Sequence, residues 1–170
     1  MRDHLKGSAE VLYAQGCNLS DNIRQDEAGM ANSPYRTVPR VDAAEAMSEA
    51  IVTASKADVI VFAGGEGSEW SGESHSRTDV DLPQCQRHLL KALVATGKPV
   101  VFLNFSGRPT TMKWEKENLP AIMNVWFGGT EMGGAICDVI FGDKSPCGRF
   151  TTSLPQATGQ EPLYYNHLNT

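Results

Sequence analysis

The chain has 170 residues, 41% of them apolar and 21% charged, the make-up of one compact globular domain rather than a disordered or fibrous segment. A net charge of −5 with 15 Lys and Arg excludes the clustered positive surface that a nucleic-acid partner requires. No apolar run approaches the roughly 18 residues of a membrane-spanning helix, and Met1-Arg2-Asp3-His4 is not followed by a signal-peptide core, so no membrane partner is expected and the segment is expected to be soluble.

Asp3 to Gly7 resembles the tail of a helix, too short to stand alone. Val11-Leu12-Tyr13-Ala14, closed by Gly16, reads as a strand, and Asn18 to Pro39 as a long polar surface loop. Asp42-Ala43-Ala44-Glu45 carries the N-cap and the N3 acid of a capping box. Ala43, Ala46, Met47, Ala50, Ile51 and Ala54 then recur at helical spacing.

Asp58-Val59-Ile60-Val61-Phe62-Ala63 is a continuous apolar run, as in a parallel strand covered on both sides, and it ends at Gly64-Gly65. Beyond a polar loop, Pro83 opens a helix with Cys85, Leu89, Ala92 and Leu93 on one face and Gly97 as its stop. Pro99 to Phe105 and Ala121 to Trp126 read as two further strands. Thr130 is placed to cap a last helix, with Ala135, Ile136, Val139 and Ile140 inward and Gly142 ending it.

Alternating strands and helices predict an α/β fold: a three-layer sandwich of flavodoxin-like type, with a mostly parallel sheet, helices on both faces and right-handed crossovers. Residues 1–170 read as a single domain. Both ends look cut, so a fragment of a larger protein is expected, lacking the first strand and helix of its fold. Cys17, Cys85, Cys137 and Cys147 form no CxxC pair and no metal-type grouping with the scattered histidines; buried thiols are the reading, and neither a zinc site nor any other metal is expected.

In an open parallel sheet, ligands bind beyond the carboxyl ends of the strands, which directs attention to the loop after Ala63. Residues 64–79 pack glycines, four carboxylates, Trp70, His75 and Arg77 into sixteen positions, far more than a connection requires. Glycines allow close approach, an exposed aromatic offers a flat face and carboxylates bind hydroxyls or move protons, a combination suited to a sugar. For Glu66, Asp79 and Asp81 a solvated acidic loop is the better reading; Glu73, Arg77 and Trp70 are the functional candidates. Gly65-Glu66-Gly67-Ser68-Glu69-Trp70 starts like a dinucleotide fingerprint, but Trp70 holds the third glycine position and no helix opens there.

Gly65-Glu66-Gly67-Ser68-Glu69, Ser71-Gly72-Glu73, Arg77-Thr78-Asp79 and Asp81-Leu82-Pro83 together resemble the C-terminal α/β sandwich domain of family-three glycoside hydrolases of the β-glucosidase type. Thr96-Gly97-Lys98-Pro99, Ser106-Gly107-Arg108-Pro109, Trp126-Phe127-Gly128-Gly129-Thr130-Glu131 and Asp138-Val139-Ile140-Phe141-Gly142-Asp143 extend the similarity in order from about Ala9. Residues 160–170 look like the lead into a following domain. Gly128-Gly129, where many relatives place a proline, and Phe150-Thr151-Thr152 depart from the pattern without touching the chemistry.

The resemblance implies a retaining, exo-acting glycosidase that cleaves terminal β-D-glucosyl residues from β-glucosides or oligosaccharides. In retaining chemistry two carboxyl groups lie about 5 to 5.5 Å apart, one attacking the anomeric carbon and the other acting as acid and then base. The resemblance places the nucleophilic aspartate in an N-terminal barrel outside this chain and the acid/base at Glu73. An acid of this kind keeps its proton near neutral pH through burial against the other carboxylate and the sugar.

Arg77 then orients Glu73 or simply tethers the loop, and Trp70 and His75 line the aglycone side, although His75 reads equally well as a solvent-exposed loop histidine. Ser106-Gly107-Arg108-Pro109 is expected as a strand-end turn, and Trp114 and Trp126 as core or domain-contact aromatics. No cofactor is implied, the partner is the barrel of the same enzyme, the isolated chain is expected to be inactive, and enzymes of this type are often exported. Two other readings remain open: a non-catalytic carbohydrate-binding module built on Trp70, and a flavodoxin-like nucleotide binder.

Overall fold

A computed structural model of the chain describes residues 1–21 and 39–168. Much of the expected loop from Asn18 to Pro39 therefore lies outside the described residues. Of its first positions Leu19 and Asp21 are exposed, whereas Asn18 and Ser20 are buried, and Asn18 is bonded in both directions to the Val41 backbone, at 3.1 and 2.9 Å.

Helix α1 spans Ala43–Ser55. One Asp42 carboxylate oxygen accepts from the N–H groups of Ala44 and Glu45 at 3.0 and 2.9 Å, satisfying two donors that a helix start leaves open. Ala46, Ala50 and Ala54 face inward, one small residue per turn, which lets the helix lie close to its neighbour.

Three strands, β1 (Ile60–Gly65), β2 (Val100–Phe105) and β3 (Ala121–Asn124), form a parallel sheet in the order β1-β2-β3. The connecting helices are α2 (Gln84–Ala95) and α3 (Lys113–Asn118), and α4 (Met132–Ile140) follows β3. This is the α/β architecture that the alternation of elements predicted. In register, Phe62 lies beside Phe102 and Phe102 beside Ile122, so all three share one face of the sheet. On that face Ala50 and Ala54 of α1 and Leu89, Leu90 and Leu93 of α2 close over the two phenylalanines, whose rings meet tilted at 5.5 Å. Fully burying side chains of this size contributes about 1.5–3 kcal/mol each. Among the described residues, no helix is long and apolar enough to cross a membrane.

Four local expectations need correction. Val11 to Ala14 is not a strand: no described strand pairs with it, and Tyr13 is 73% exposed. Apolar character alone does not supply a ladder of partners. Helix α3 is missing from the sequence reading because six residues are too few to display a 3.6-residue period. The strand expected to reach Trp126 stops at Asn124; the Val125 N–H still donates to the Asn104 carbonyl at 2.9 Å, and then Trp126 takes φ 53° and turns the chain away. Finally, Thr130 caps nothing. Glu131 holds the cap position of α4 without a side-chain bond, and the residues buried on the helix are Ile136 and Cys137.

Because the strands are parallel, their carboxyl ends at Gly65, Phe105 and Asn124 lie along one edge. The loops 66–83, 106–112 and 125–131 therefore leave the sheet side by side.

Candidate functional site

The loop after β1 is built around a carboxylate that the sequence reading assigned to solvent. Glu66 is 4% exposed. Its N–H extends the ladder to the Phe105 carbonyl at 2.7 Å, which carries the side chain inward beside the end of β2. One carboxylate oxygen accepts from Arg77 Nη1. The other accepts from Ser106 Oγ at 2.9 Å and from Arg108 Nε at 3.2 Å. Two guanidinium groups and a hydroxyl thus neutralise one buried charge, the condition under which burying it is tolerable.

From this centre Arg108 reaches across the loop. Its Nη2 donates to the Trp70 carbonyl and to the His75 carbonyl, the latter at 3.3 Å. Ser106 Oγ, wholly buried, also lies 2.7 Å from the Arg108 carbonyl, which shares its single hydrogen with Glu66, and it accepts from the Arg108 N–H at 3.1 Å. The expected strand-end turn at Ser106-Gly107-Arg108-Pro109 is therefore present, and Arg108 braces the loop. Two glycines are required where the loops meet. A Cβ on Gly65, whose φ is 130°, would lie 1.9 Å from the Phe105 carbonyl oxygen, and one on Gly107 would lie 2.0 Å from Ser71 Oγ.

Trp70 ends a single 3-10 turn, Ser68–Trp70. It is 6% exposed, with the Arg77 guanidinium 5.3 Å from its ring centre. The expectation of an exposed aromatic platform fails here, because Trp70 faces the loop's own core. Arg77 is likewise not a partner of Glu73: it is spent on Glu66 and on the face of Trp70.

Glu73 stands at the exposed tip, between Gly72 at φ 133° and Ser74 at φ 62°. A non-glycine residue in the left-handed region is uncommon and costs on the order of 1 kcal/mol or more, so the surrounding structure has to hold it. His75 closes the turn: its N–H donates to the Gly72 carbonyl at 3.3 Å, and its Nδ1 lies 2.7 Å from the Glu73 carbonyl. The exposed His75 ring accordingly has a local structural role.

The rest of the loop is tied down. Asp79 accepts from the Asp81 N–H at 2.9 Å and from Thr158 Oγ1 at 3.1 Å, joining the loop to the C-terminal segment. Asp81 accepts from Arg87 Nη1 at 2.8 Å and from Thr111 Oγ1. At the start of α2, Gln86 is almost fully buried. Its amide oxygen accepts from the Gly65 N–H at 2.7 Å, and its nitrogen donates to the Gly65 and Leu19 carbonyls at 2.8 and 2.6 Å. The sequence reading missed Gln86; a polar residue on the apolar stripe of α2 was the available signal.

Two clefts adjoin this edge. One of about 450 Å³ is lined by Asp79, Asp81, Arg87, Thr111, Trp114 and Glu115, and one of about 500 Å³ includes Asp21, Arg77, Pro83 and His88. Neither reaches Glu73, His75 or Trp70. Glu115, on the wall of the first cleft, is buried, and burial pushes its carboxyl above the usual 4.5, against the pull of Arg87 4.0 Å away. Trp114 packs against the core beneath Lys91, 5.4 Å from its ring centre.

One cluster of ligand-type side chains escaped the sequence reading. His4, Asp138 and Asp143 bring three candidate donor atoms within 4.8 Å of one another. His4 offers Nε2 to Asp143 at 2.8 Å and Nδ1 to Asp138 at 4.0 Å, and its ring stacks on Phe141 at 5.3 Å. The three side chains join the N-terminal turn to the end of α4.

A family profile described as "Glycosyl hydrolase family 3 C-terminal domain" matches residues 4–170. The chain is 42% identical over 163 residues to a periplasmic beta-glucosidase of Salmonella typhimurium, covering 95% of this chain and 21% of that protein. It is 40% identical over 163 residues to a beta-xylosidase of Formosa agariphila, covering 96% and 19%. Among solved structures, the beta-glucosidase from Listeria innocua in complex with isofagomine aligns with a TM-score of 0.73 at 40% identity, over 76% of this chain and 18% of that one. The chain thus spans about a fifth of the length of the relatives it matches.

Proposed function

The chain belongs to the glycosyl hydrolase family 3 C-terminal domain family, and from that premise we propose that Glu73 is the general acid/base of a retaining, exo-acting β-glucosidase. The observation that carries this reading is the fate of the loop's carboxylates. Glu66, Asp79 and Asp81 are committed to internal partners, and Glu69 meets its neighbour Ser68 at 3.5 Å. Glu73 alone is raised on a turn of two left-handed residues, and its carboxylate has no bonding partner among the described residues. A group that must first donate and then accept a proton has to be available in this way.

In this mechanism Glu73 protonates the glycosidic oxygen as an aspartate of the N-terminal barrel attacks the anomeric carbon. Glu73 then removes a proton from the water that releases the sugar. The barrel covers Glu73, excludes water and supplies most contacts to the sugar. Arg77 and Arg108 act at one remove: by fixing Glu66 and the Trp70 and His75 carbonyls they set the height and direction of the tip. His75 lies on the aglycone side. Trp70 supports the loop from within, which weakens the carbohydrate-binding-module alternative that relied on its exposed face. The nucleotide alternative loses its last support at Ser68–Trp70, a single turn with no helix start to receive a phosphate.

Glucose is favoured by the names of the Salmonella and Listeria relatives, while the beta-xylosidase of similar identity leaves the sugar to the barrel. The periplasmic relative supports export of the full-length enzyme. In that enzyme, Glu73→Gln should lower kcat/KM steeply on glycosides with poor, alkyl leaving groups and far less on activated aryl glycosides, which need little protonation. Equal rates for variant and parent on both substrate types would overturn the assignment. The 170-residue chain alone should not turn over either substrate, because acid catalysis without a nucleophile leaves most of the transition state unsupported.

A further inference from the structure

The loop that carries Glu73 is held at both of its ends, and the second hold comes from a residue 78 positions further along the chain. The outgoing end is fixed at Glu66 by Ser106, Arg77 and Arg108. The returning end runs through Asp79, Val80 and Asp81, outside any helix or strand, so the Val80 backbone needs partners from elsewhere. Its carbonyl accepts from the Thr111 N–H at 3.1 Å. Its N–H donates to Thr158 Oγ1 at 3.3 Å, and the same hydroxyl donates to Asp79 Oδ1 at 3.1 Å. One hydroxyl thus uses its proton and a lone pair on adjacent residues of the loop.

A compact local fold presents Thr158 for this. It opens the 3-10 turn Thr158–Gln160. Gln160 Oε1 accepts from the Gln156 N–H at 2.6 Å, the Gln160 N–H donates to the Ala157 carbonyl at 2.9 Å, and Pro155, just before, is buried. On the loop side, Asp79 Oδ1 also accepts from the Asp81 N–H at 2.9 Å, which binds residues 79–81 into one unit. Between that unit and the tip stands Arg77, the partner of Glu66 and of the Trp70 ring.

We propose that Thr158 is a positioning residue for the acid/base: its hydroxyl fixes the returning end of the loop and, through it, the placement of Glu73. Thr158 touches no reacting atom, and the proposal rests on Glu73 being the acid/base. Without the hydroxyl the returning end is held only from the side of Thr111 and Arg87, and the Val80 N–H loses its partner. A small shift there is carried through Arg77 to the tip. The loss falls on delivery of the proton to the leaving group and not on binding of the sugar.

The test uses the full-length enzyme in four forms: the parent, Thr158→Val, which keeps the shape and removes the hydroxyl, Thr158→Ser, which keeps the hydroxyl, and Glu73→Gln as the reference. Thr158 is half-buried in a turn, so neither substitution opens the core. On an alkyl β-glucoside, kcat of Thr158→Val should fall roughly tenfold with KM little changed, while kcat/KM on an activated aryl β-glucoside stays within about twofold of the parent. Thr158→Ser should recover most of the loss. Amide exchange in the peptide spanning Asp79 to Leu82 should be faster in Thr158→Val than in the parent or Thr158→Ser. If Glu73→Gln shifts the ratio of the two substrates and Thr158→Val does not, the positioning role is overturned and Glu73 stands. Unchanged exchange in Thr158→Val, or Thr158→Ser behaving as Thr158→Val does, overturns it equally. A Glu73→Gln enzyme with the parent's ratio removes Glu73 as the acid/base and this proposal with it.

Discussion

Arg108 and Glu66, 42 residues apart in sequence, meet through Nε and Oε2 at 3.2 Å, and the same guanidinium holds the Trp70 and His75 carbonyls. The bracing arginine comes from the loop after β2, the braced loop follows β1, and the parallel register places the two strand ends together. The position of the exposed Glu73 tip is therefore set from below by a neighbouring strand.

Glu66→Ala should destabilise the chain by about 3–5 kcal/mol, because it leaves two guanidinium groups and the Ser106 hydroxyl without their shared anion. Urea unfolding of the full-length protein or of a soluble form of the domain measures this. A loss below about 1 kcal/mol, the range of an exposed pair, would mean that the network contributes as surface charge does.

Arg108→Ala should lower kcat of the full-length enzyme on the order of 10²-fold while KM changes little, since it displaces the acid/base rather than removing a sugar contact. Arg108→Lys should recover only part of this, because one ammonium cannot replace a planar fork spanning a carboxylate and two carbonyls. Steady-state kinetics separate the two parameters.

Gly107→Ala should cost about 1–3 kcal/mol through overpacking against Ser71, and Gly107→Ala with Ser71→Gly should recover most of it. Gly65→Ala should cost about 3 kcal/mol or more, with no rescue by a side-chain change, because the obstruction is the Phe105 carbonyl and φ is 130°. Thermal unfolding of the variants distinguishes the two cases.

Glu115 gives the pH dependence a definite sign. Its folded carboxyl binds its proton more tightly than the unfolded one, owing first to burial, so its contribution to stability is complete below the usual 4.5 and is lost as pH rises through the raised folded value. Glu115→Gln should therefore melt above the parent at pH 7, with the difference shrinking toward acid. A variant that melts below the parent at pH 7 would mean that the pairing with Arg87 outweighs burial.

Much of the fold was legible because its signals are local. The Asp42 cap, the presence of strand β1 and the Gly97 and Gly142 stops each follow from a few neighbouring residues, although β1 is not covered on both sides as its apolar run suggested: Ala63 is exposed. Helix α3 was invisible because six residues carry no period. The run from Val11 to Ala14 misled because pairing depends on a partner strand that composition does not reveal.

At the site, the Ser71-Gly72-Glu73 motif led to the tip, but the roles of its supports were exchanged. Glu66 looked like solvent-facing acid and is the buried centre, whereas Trp70 looked like a platform and is packing. Both errors have one origin: Ser106 and Arg108 come from another loop, and only the sheet register brings them to Glu66.

The most direct measurement is the azide product of the full-length Glu73→Ala enzyme acting on an activated aryl β-glucoside. With the acid/base gone, the glycosyl–enzyme should accumulate, added azide should restore turnover, and NMR should identify the product as a β-glucosyl azide, retained at the anomeric carbon. Turnover indifferent to azide, or a product of inverted configuration, would contradict the role given to Glu73.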